Sequence, residues 1–348
     1  MRVGGPADQL VVARSNAEIL DAVRASDSRD PNGLLFFGGG SNLVVGDAGW
    51  HGTTVQIRSS SLRIEGTDLI ADAGCDWDSV VAESIAAGLS GLEALSGIPG
   101  SVGGTPVQNV GAFGVLTQQR LKSVEVYDRL TQKVETWSTQ QCGFGSHRQS
   151  TFKHTDRYLV LSVRYRLKRS AQSEPIAFEQ LCKHLRITKG GTASTQDVRA
   201  AVIELRRSKG SIYDPGDPDT WGTGSFFINH VCTLEDAAQA IADHCPTYPD
   251  PPVGPPDPNL VKLPAGWLIH HSGFQPGYGS EWGRGSVTLS SKHALAVSNH
   301  TGDATTAEVM AFAAHIRDGV EQKYGIRLGP ECDLVNCSFD DQIAVTTG

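Results

Sequence analysis

The alternation of hydrophobic and polar positions along the chain predicts five helices with recognisable ends. Each begins behind a Ser, Thr or Asp whose side chain can accept a hydrogen bond from the first turn, and three stop at a glycine. The predicted helices are 16–25 behind Ser15 and Glu18, one from Asp76 to Gly88, one from Ser194 and Asp197 to Gly210, about 234–243 behind Thr233, and one from Thr305 and Glu308 to Gly325.

Short runs of β-branched and aromatic residues between these helices predict strands that are joined mostly by turns. Strands that follow one another without helices favour an α+β fold over a doubly wound parallel sheet. The opening residues, MRVGGPADQL, resemble the start of a strand, so the chain is expected to lack an N-terminal arm. The other predicted strands are 34–37, 43–45, 54–57, 69–74, 122–128, 133–138, 158–167, 286–290 and 294–298.

Two glycine-rich stretches interrupt the pattern and carry the first functional signal. GGGSN at 38–42 lies between two strands, without the helix that a Rossmann dinucleotide site requires. Successive glycines can still turn backbone N–H groups toward an anion, although the same stretch could be a tight turn between strands. The second stretch, 88–114, holds eight glycines, and long loops in compact domains usually carry function. Together they predict one extended ligand held from two sides.

Composition narrows the class of protein. The 348 residues suggest two or three domains, and the net charge of −8, with no basic stripe, argues against nucleic acid as a partner. The seven cysteines form no CxxC pattern, which is typical of reduced thiols in the cytoplasm. Neither a membrane span nor a signal peptide is recognisable. We therefore expect a cytoplasmic protein that acts on a small molecule, away from membranes.

Two further features remain open at this stage. The segment 245–266 contains eight prolines in 22 residues and is either a linker or a long surface loop. Several histidines invite a metal site, but the adjacent pair His270–His271 cannot face one site from a strand, so no metal is expected. The histidines considered are His147, His230, His270, His271 and His293.

Six motifs in order make the chain similar to a known family over nearly its whole length. They are GGGSN, IPGSVGGTPVQNVGAFGV (98–115), FGSHRQSTFK (144–153), GTGSFFIN (222–229), AGWLI (265–269) and PE (330–331). The chain resembles the FAD-dependent UDP-N-acetylenolpyruvoylglucosamine reductases of bacterial cell-wall synthesis, the MurB family, in its longer type. In that family, hydride passes from NADPH to FAD and then to the enolpyruvyl double bond, which gives UDP-N-acetylmuramate.

The resemblance implies an α+β fold made of a two-part FAD-binding domain of the vanillyl-alcohol-oxidase type and a C-terminal α+β substrate-binding domain. The implied divisions are 1–58 and 59–190 for the FAD-binding parts, 191–328 for the substrate domain, and 329–348 for a segment with a catalytic glutamate. The implied cofactor-binding residues are Gly38, Gly39, Gly40, Ser41, Asn42, Pro99, Gly100, Ser101, Gly103, Gly104, Gln108, Asn109 and Gly111.

The resemblance also implies three catalytic roles. Hydride addition beside a carboxylate creates enolate character, so the site must stabilise charge and then deliver a proton. Arg148 would bind the carboxylate, Glu331 would support the same charge, and Ser225 would donate the proton. Without the family, these three would be an ordinary surface arginine, strand-leading glutamate and turn serine. The implied substrate contacts are Asn229, His147, His230 and Lys262.

Departures from the family motifs cluster at the substrate end. Phe178 stands where the longer type has a tyrosine that reaches the diphosphate, and GAFG puts Phe113 where GAYG is usual. Ile228 and His147 replace further family residues. Three hypotheses follow: a working cell-wall reductase with a relaxed substrate rim, a paralogue that uses the same flavin fold on another substrate, for example in secondary metabolism, or a flavin-binding protein without turnover.

Overall fold

The computed structural model describes residues 1–145, 150–153, 155–250 and 256–339. The chain forms two compact units, each assembled from separate stretches of sequence. Unit A contains Ala7–Gly40 and His51–Ser208, and unit B contains Met1–Pro6, Ser41–Trp50 and the described residues from Lys209 onward. Across the described ranges, no helix combines the length and apolar character that a bilayer span needs.

Helices and strands both contribute substantially to the described chain. The α-helices are α1 Asn16–Asp27, α2 Trp77–Ala86, α3 Gly104–Val107, α4 Glu179–Leu185, α5 Thr195–Ser208, α6 Ala238–Ala242, α7 Ala265–His271 and α8 Thr306–Tyr324. Short 3-10 turns lie at Glu93–Leu95, Thr117–Gln119 and Pro218–Thr220. The strands are β1 Ala7–Ala13, β2 Leu34–Phe37, β3 Leu43–Val45, β4 Trp50–Ile57, β5 Leu62–Glu65, β6 Asp68–Asp72, β7 Leu89–Ser90, β8 Gly111–Ala112, β9 Val115–Leu116, β10 Leu121–Asp128, β11 Lys133–Ser138, β12 Tyr158–Arg166, β13 Lys168–Arg169, β14 His230–Thr233, β15 Leu260–Leu263, β16 Val287–Leu289, β17 Val297–Asn299 and β18 Asp333–Val335.

Unit A is built on two sheets. The larger has the order β11-β10-β12-β6-β5, and all its recorded pairings are antiparallel. The smaller has the order β1-β4-β2, with β2 parallel to β4. Trp77 and Tyr165 pack with their ring centroids 5.6 Å apart in the core, and the Tyr165 hydroxyl forms a hydrogen bond with Thr105. This bond ties the large sheet to the glycine-rich stretch that contains Thr105.

Unit B packs its core against the long helix α8. Phe226, Phe227, Val287, Phe312 and Ile316 are all at most 1% exposed in one cluster. Small antiparallel pairs, β14–β15 and β16–β17, surround the cluster, and β3 pairs with β18 in parallel register. The unit therefore brings a short stretch near residue 44 together with the C-terminal third of the chain.

The predicted helix ends are confirmed where local capping decides them. The Ser15 and Asp76 side chains accept bonds from the amides of Glu18 and Ser79, at the starts of α1 and α2. At α8, Thr305 and Glu308 form a reciprocal capping box, and the left-handed backbone of Gly325 ends the helix. These caps satisfy orphan amides within one turn, so sequence alone predicts them well.

Two local predictions were wrong. Thr233 does not start a helix at 234: it ends β14 paired with Leu260, and α6 begins only at Ala238 after a turn. The strand predicted at 294–298 is shifted to β17 because a turn, closed by the Ala296 amide on the His293 carbonyl, occupies 293–296. His270 and His271, for which a strand was considered only as a condition, lie on helix α7.

Candidate functional site

The two glycine-rich stretches meet within unit A. A Cβ added to Gly38 would lie 2.0 Å from the Ser101 hydroxyl oxygen, and one added to Gly39 would lie 3.1 Å from the Gly100 Cα. Gly100 itself has φ of 120°, a conformation that side chains rarely tolerate. Glycine at these positions lets the two stretches approach each other closely, whereas the ligand predicted between them stays a prediction.

The second stretch is anchored to the end of β6 by main-chain bonds. The amides of Val102 and Gly103 donate to the carbonyls of Cys75 and Ala73, at 2.9 and 2.8 Å. The amide of Trp77 donates to the Gly100 carbonyl at 3.1 Å. These bonds fix the backbone at Gly100–Gly103 independently of its side chains, so its remaining polar groups are held in place for a ligand.

Side chains from two helices hold the same stretch at Gly97. Asp78 of α2 accepts the Gly97 amide at 2.6 Å and forms a bidentate pair with Arg199 of α5, at 2.5 and 2.7 Å. Arg206, also on α5, donates to the Gly97 carbonyl at 3.0 Å, and burial lowers the pKa of its guanidinium to about 10. Sequence reasoning missed Asp78 and Arg199, which read as a first-turn acid and a polar helix-face residue.

The far end of the stretch contains Gln108, Asn109 and Gly111. Gln108 follows the last residue of α3, and its backbone amide donates to the carbonyl of Gly104, the first residue of that helix. Asn109 is buried with a positive φ of 39°, and its side chain both donates to and accepts from Gln118. The Asn109 carboxamide therefore braces the turn, in addition to any role toward a ligand. Gly111 pairs with Leu116 in the β8–β9 ladder.

Unit B brings Ser225 and Glu331 together on paired segments. The Glu331 amide donates to the carbonyl of Phe226, the residue after Ser225, at 2.8 Å. One step along, Phe227 forms an antiparallel bridge with Pro330, and the Ile228 amide donates to the Gly329 carbonyl at 3.0 Å. Ser225 and Glu331 are both half-buried. Two of the three residues expected to be catalytic are thus neighbours in space, although 106 residues separate them.

A turn at 293–296 holds the backbone next to Ser225. The Leu295 carbonyl accepts the Phe226 amide at 2.8 Å, and the Leu295 amide donates to Nδ1 of His293 at 3.2 Å. Burial, with a smaller contribution from the charge of Lys209, lowers the pKa of His293, which favours its neutral form. Because His293 accepts through Nδ1 in this arrangement, its proton lies on Nε2.

The residues of the GGGSN motif fall in both units. Gly38, Gly39 and Gly40 belong to unit A, whereas Ser41 and Asn42 belong to unit B. Within unit B, the Asn42 side chain donates from Nδ2 to the Glu331 carbonyl at 3.2 Å. Asn42, predicted as a cofactor contact, therefore also contacts the backbone of the expected catalytic glutamate.

The other expected substrate residues have structural partners in unit B. The Asn229 side-chain oxygen accepts the Ala265 amide at the start of α7, at 3.1 Å. His230 and Lys262 lie on the paired strands β14 and β15. The Lys262 ammonium donates to the Pro249 carbonyl and lies 3.7 Å from the carboxylate of Asp250, which is 1% exposed. Lys262 thereby anchors part of the proline-rich segment.

Two of the expected site residues, Arg148 and His147, lie outside the described residues. In the ranges that are described, no group of three or more His, Cys, Asp or Glu side chains is placed to hold a metal ion. His271 stacks on Trp267 with a centroid distance of 3.7 Å. All seven cysteines are free thiols.

The two phenylalanines that the motif resemblance matched to family tyrosines pack against each other. Phe113 and Phe178 meet edge to face in unit A, with centroids 5.4 Å apart and planes at 83°. Phe113 also packs on the small core between α4 and α5, while Phe178 is 39% exposed at the start of α4. Phe178 therefore presents part of its ring to solvent.

Two family models match different parts of the chain. Residues 7–135 match the family model of an FAD binding domain, and residues 217–335 match that of the UDP-N-acetylenolpyruvoylglucosamine reductase C-terminal domain. A UDP-N-acetylenolpyruvoylglucosamine reductase of Thermobifida fusca is 44% identical, with 97% of this chain and 95% of the relative covered. The chain belongs to the UDP-N-acetylenolpyruvoylglucosamine reductase family. The resemblance drawn from its motifs is confirmed.

Other relatives extend the reductase match. The enzyme of the same name from Salinispora arenicola is 42% identical, with 97% of this chain and 93% of the relative covered. The crystal structure of the reductase from Thermus caldophilus has a TM-score of 0.63 and 23% identity, covering 96% of this chain and 94% of that one. The α+β fold with an FAD-binding domain is thereby confirmed.

The glycine-rich backbone of unit A fits FAD. Gly38, Gly39 and Gly100 leave two loops packed backbone to backbone, and an added Cβ at Gly104 would meet no heavy atom within 4 Å. A flat or chain-like ligand can therefore approach the main chain closely beside Gly104. The Ser101 hydroxyl at the same place is a further polar group for a pyrophosphate.

Proposed function

We propose that this chain is an FAD-dependent, NADPH-using reductase that converts UDP-N-acetylenolpyruvoylglucosamine to UDP-N-acetylmuramate. The observation that carries the proposal is the pairing of the Ser225 and Glu331 segments through the Phe226 carbonyl and the Glu331 amide, at 2.8 Å. It supports the proposal because a proton donor and a carboxyl are the groups needed beside an enolate. Both the reductant and the UDP-linked substrate are cytoplasmic metabolites, so we expect the enzyme to work in the cytoplasm.

Glu331 supplies the carboxyl group in the proposed reaction. When bound, the flavin supplies hydride-transfer chemistry. The substrate carboxylate then gains charge as enolate character develops, and a hydrogen bond between Glu331 and this carboxylate would stabilise that charge. The half-buried position of Glu331 favours this bond because partial burial strengthens hydrogen bonds to charge. By the family resemblance, Arg148 binds the same carboxylate.

Ser225 is the proposed proton donor to the carbon that remains as an enolate. A free serine is a poor acid, so this step depends on a fixed geometry and on stabilisation of the alkoxide. The support of Ser225 is consistent with such a role: Gly224 has φ of 77°, and the Phe226 amide is held by the Leu295 carbonyl. Asn229, His230, Lys262 and His147 remain predicted substrate contacts.

The test is anaerobic stopped-flow spectroscopy of the purified, FAD-loaded protein. NADPH is expected to bleach the flavin band, and UDP-N-acetylenolpyruvoylglucosamine is then expected to restore it far faster than buffer does. Reoxidation no faster than with buffer would overturn the proposal. UDP-N-acetylglucosamine, which lacks the double bond, is the matched ligand control.

The variant Ser225→Ala sharpens the test. Reduction by NADPH is expected to be unchanged, whereas reoxidation by the substrate should fall by about two to four orders of magnitude, the usual range for loss of a general acid. A Ser225→Ala enzyme that turns over at the wild-type rate would remove the serine from the mechanism. The comparisons do not favour the alternative of a paralogue acting on another substrate.

A further inference from the structure

The backbone of Glu331 is held by hydrogen bonds at both its N–H and its C=O group. Its amide donates to the Phe226 carbonyl at 2.8 Å, beside Ser225. Its carbonyl accepts Nδ2 of Asn42 at 3.2 Å. Because these two bonds act on opposite sides of one residue, they limit rotation of the backbone from which the Glu331 side chain projects.

Asn42 also binds the backbone of Asp333, two residues after Glu331. The Asp333 amide donates to the Asn42 main-chain carbonyl at 2.9 Å, where β18 begins its parallel pairing with β3. Asn42 thus contacts the C-terminal segment at two points, with its side chain on Glu331 and its main chain at Asp333. The side-chain bond is the one that a substitution can remove while the β3–β18 ladder stays intact.

The residue between these two points is itself immobilised. Cys332 is 4% exposed and packs within the core of unit B. Burial raises the pKa of the Cys332 thiol to about 12, so it stays neutral. With Cys332 packed in the core, the bond from the Asn42 carboxamide adds a second restraint on the Glu331 backbone just before it.

We propose that Asn42 is a positioning residue for Glu331 and not solely a contact of the cofactor. Its carboxamide holds the Glu331 carbonyl so that the carboxyl group keeps one orientation relative to Ser225. This inference rests on the proposed function, since it takes Glu331 as the group that supports the enolate. The two roles can be told apart by experiment. Loss of a positioning residue should slow reoxidation of the flavin by the substrate, whereas loss of a cofactor contact should weaken FAD binding.

The test compares Asn42→Ala and Asn42→Asp with wild type in the FAD-saturated enzyme. At saturating FAD we expect reoxidation by UDP-N-acetylenolpyruvoylglucosamine to slow at least about tenfold, with flavin reduction by NADPH within about twofold of wild type, whether or not FAD affinity also falls. Asn42→Asp should fail like Asn42→Ala, because a carboxylate has the same shape but cannot donate to a carbonyl. FAD affinity reduced about tenfold with normal reoxidation at saturating FAD would overturn the proposal.

A double-mutant cycle separates positioning from general damage. If Asn42 acts through Glu331, Asn42→Ala should add little to the slow reoxidation of Glu331→Gln, whereas independent effects would multiply. Multiplying effects would contradict the proposal. The matched control is Asn336→Ala, which removes a comparable bond from an asparagine Nδ2 to the Gly49 carbonyl, 2.8 Å long, just beyond β18. It is expected to leave the reoxidation rate unchanged.

A structural readout keeps the inference testable apart from activity. Hydrogen–deuterium exchange at the Glu331 amide, which donates to Phe226, should be at least about tenfold faster in Asn42→Ala than in wild type or Asn336→Ala. Unchanged exchange would overturn the positioning role even if wild type is active. If wild type is not reoxidised by the substrate while exchange behaves as expected, the proposed function fails and the positioning contact stands.

Discussion

Asp78 and Arg199 form a bidentate ion pair, with N–O distances of 2.5 and 2.7 Å, and Asp78 also accepts the Gly97 amide. Both side chains are less than one-third exposed. The pair joins α2 and α5 at the start of the second glycine-rich stretch. We expect this pair to contribute both to the stability of unit A and to retention of the flavin.

Arg199→Ala is expected to lower the free energy of unfolding by about 1–3 kcal/mol, because it leaves a partly buried carboxylate without its charged partner. It should also weaken FAD binding, since the Gly97 end of the loop loses support. Thermal unfolding and FAD fluorescence titration measure the two effects. Lys183→Ala, which breaks an exposed pair with Glu179, is the control and should leave the free energy of unfolding nearly unchanged, because solvent screens this pair. Equal losses in the two variants would contradict the prediction.

Gly38→Ala tests the approach of the two glycine-rich stretches. Its new Cβ would lie 2.0 Å from the Ser101 oxygen, so we expect lower stability and poor FAD retention. Ser101→Gly in the same chain should restore part of the stability, because it removes the atoms that the new methyl group meets. Differential scanning fluorimetry with and without added FAD gives both quantities. Failure of Ser101→Gly to restore any stability would place the strain elsewhere.

Gly104→Ala tests whether the open volume beside Gly104 is needed for FAD and not for packing of the protein. An added Cβ there meets no heavy atom within 4 Å, and alanine is favoured over glycine in a helix by up to about 1 kcal/mol. The apo protein should therefore be at least as stable as wild type. FAD should nevertheless bind more weakly, because the methyl group occupies space beside the main chain. An unchanged dissociation constant for FAD would argue that the cofactor lies away from Gly104.

Stability in acid should depend on Glu308. The Arg284 guanidinium beside it holds the pKa of that carboxyl at about 2, well below its ordinary value of 4.5. A carboxyl whose pKa is depressed in the folded state stabilises the protein fully above its unfolded pKa, and this contribution is lost as the pH falls toward the folded pKa. The stabilisation from Glu308 is therefore present above about pH 4.5 and disappears between there and pH 2.

Glu308→Gln isolates this charge, because glutamine can still complete the capping box with Thr305. The variant should be less stable than wild type at pH 7, and the difference should shrink steadily below pH 4.5. Chemical unfolding at a series of pH values provides the measurement. Glu235→Gln, at an exposed position, is the control. A difference that stays constant from pH 7 to 2 would contradict the assignment to Glu308.

Phe178→Tyr should improve binding of the UDP-sugar. A hydroxyl at this position could donate to the diphosphate, and a hydrogen bond to a charged group is worth about 1.5–3 kcal/mol. We expect KM to fall by about tenfold or more with kcat little changed. Phe178→Leu, which removes the ring contact with Phe113 without adding a donor, should lower stability and should not lower KM. An unchanged KM in Phe178→Tyr would show that the ring does not face the substrate.

Features decided within a few residues were predictable from sequence. The caps of α1, α2, α5 and α8 depend on one side chain and the next turn, and the alternation of residues 122–128 and 133–138 matches the β10–β11 hairpin closely. The motifs of the candidate site were equally readable. Where a neighbouring strand competed for the backbone, as at Thr233, local reasoning placed the helix too early.

Features that depend on distant pairing were not predictable in this way. Nothing near Asp78 indicates that Arg199 will neutralise it, and nothing near Asn42 indicates that it will reach Glu331, because each contact joins residues more than 100 positions apart. Lys262 seemed suited to a substrate anion, but the buried carboxylate of Asp250 lies beside it. Such partners are set by the folded topology, which the pattern of one segment does not encode.

The parallel pairing of β3 with β18 has a consequence for biosynthesis. Leu43 leaves the ribosome almost 300 residues before its partner Asp333, so β3 must wait for nearly the whole chain to be translated. The large sheet of unit A is encoded before residue 167 and can form during that interval. The parts of unit B near residues 1–6 and 41–50 are translated first but completed last. We expect a nascent chain that ends before Asp333 to hold these segments unpaired, as substrates for chaperones or proteases.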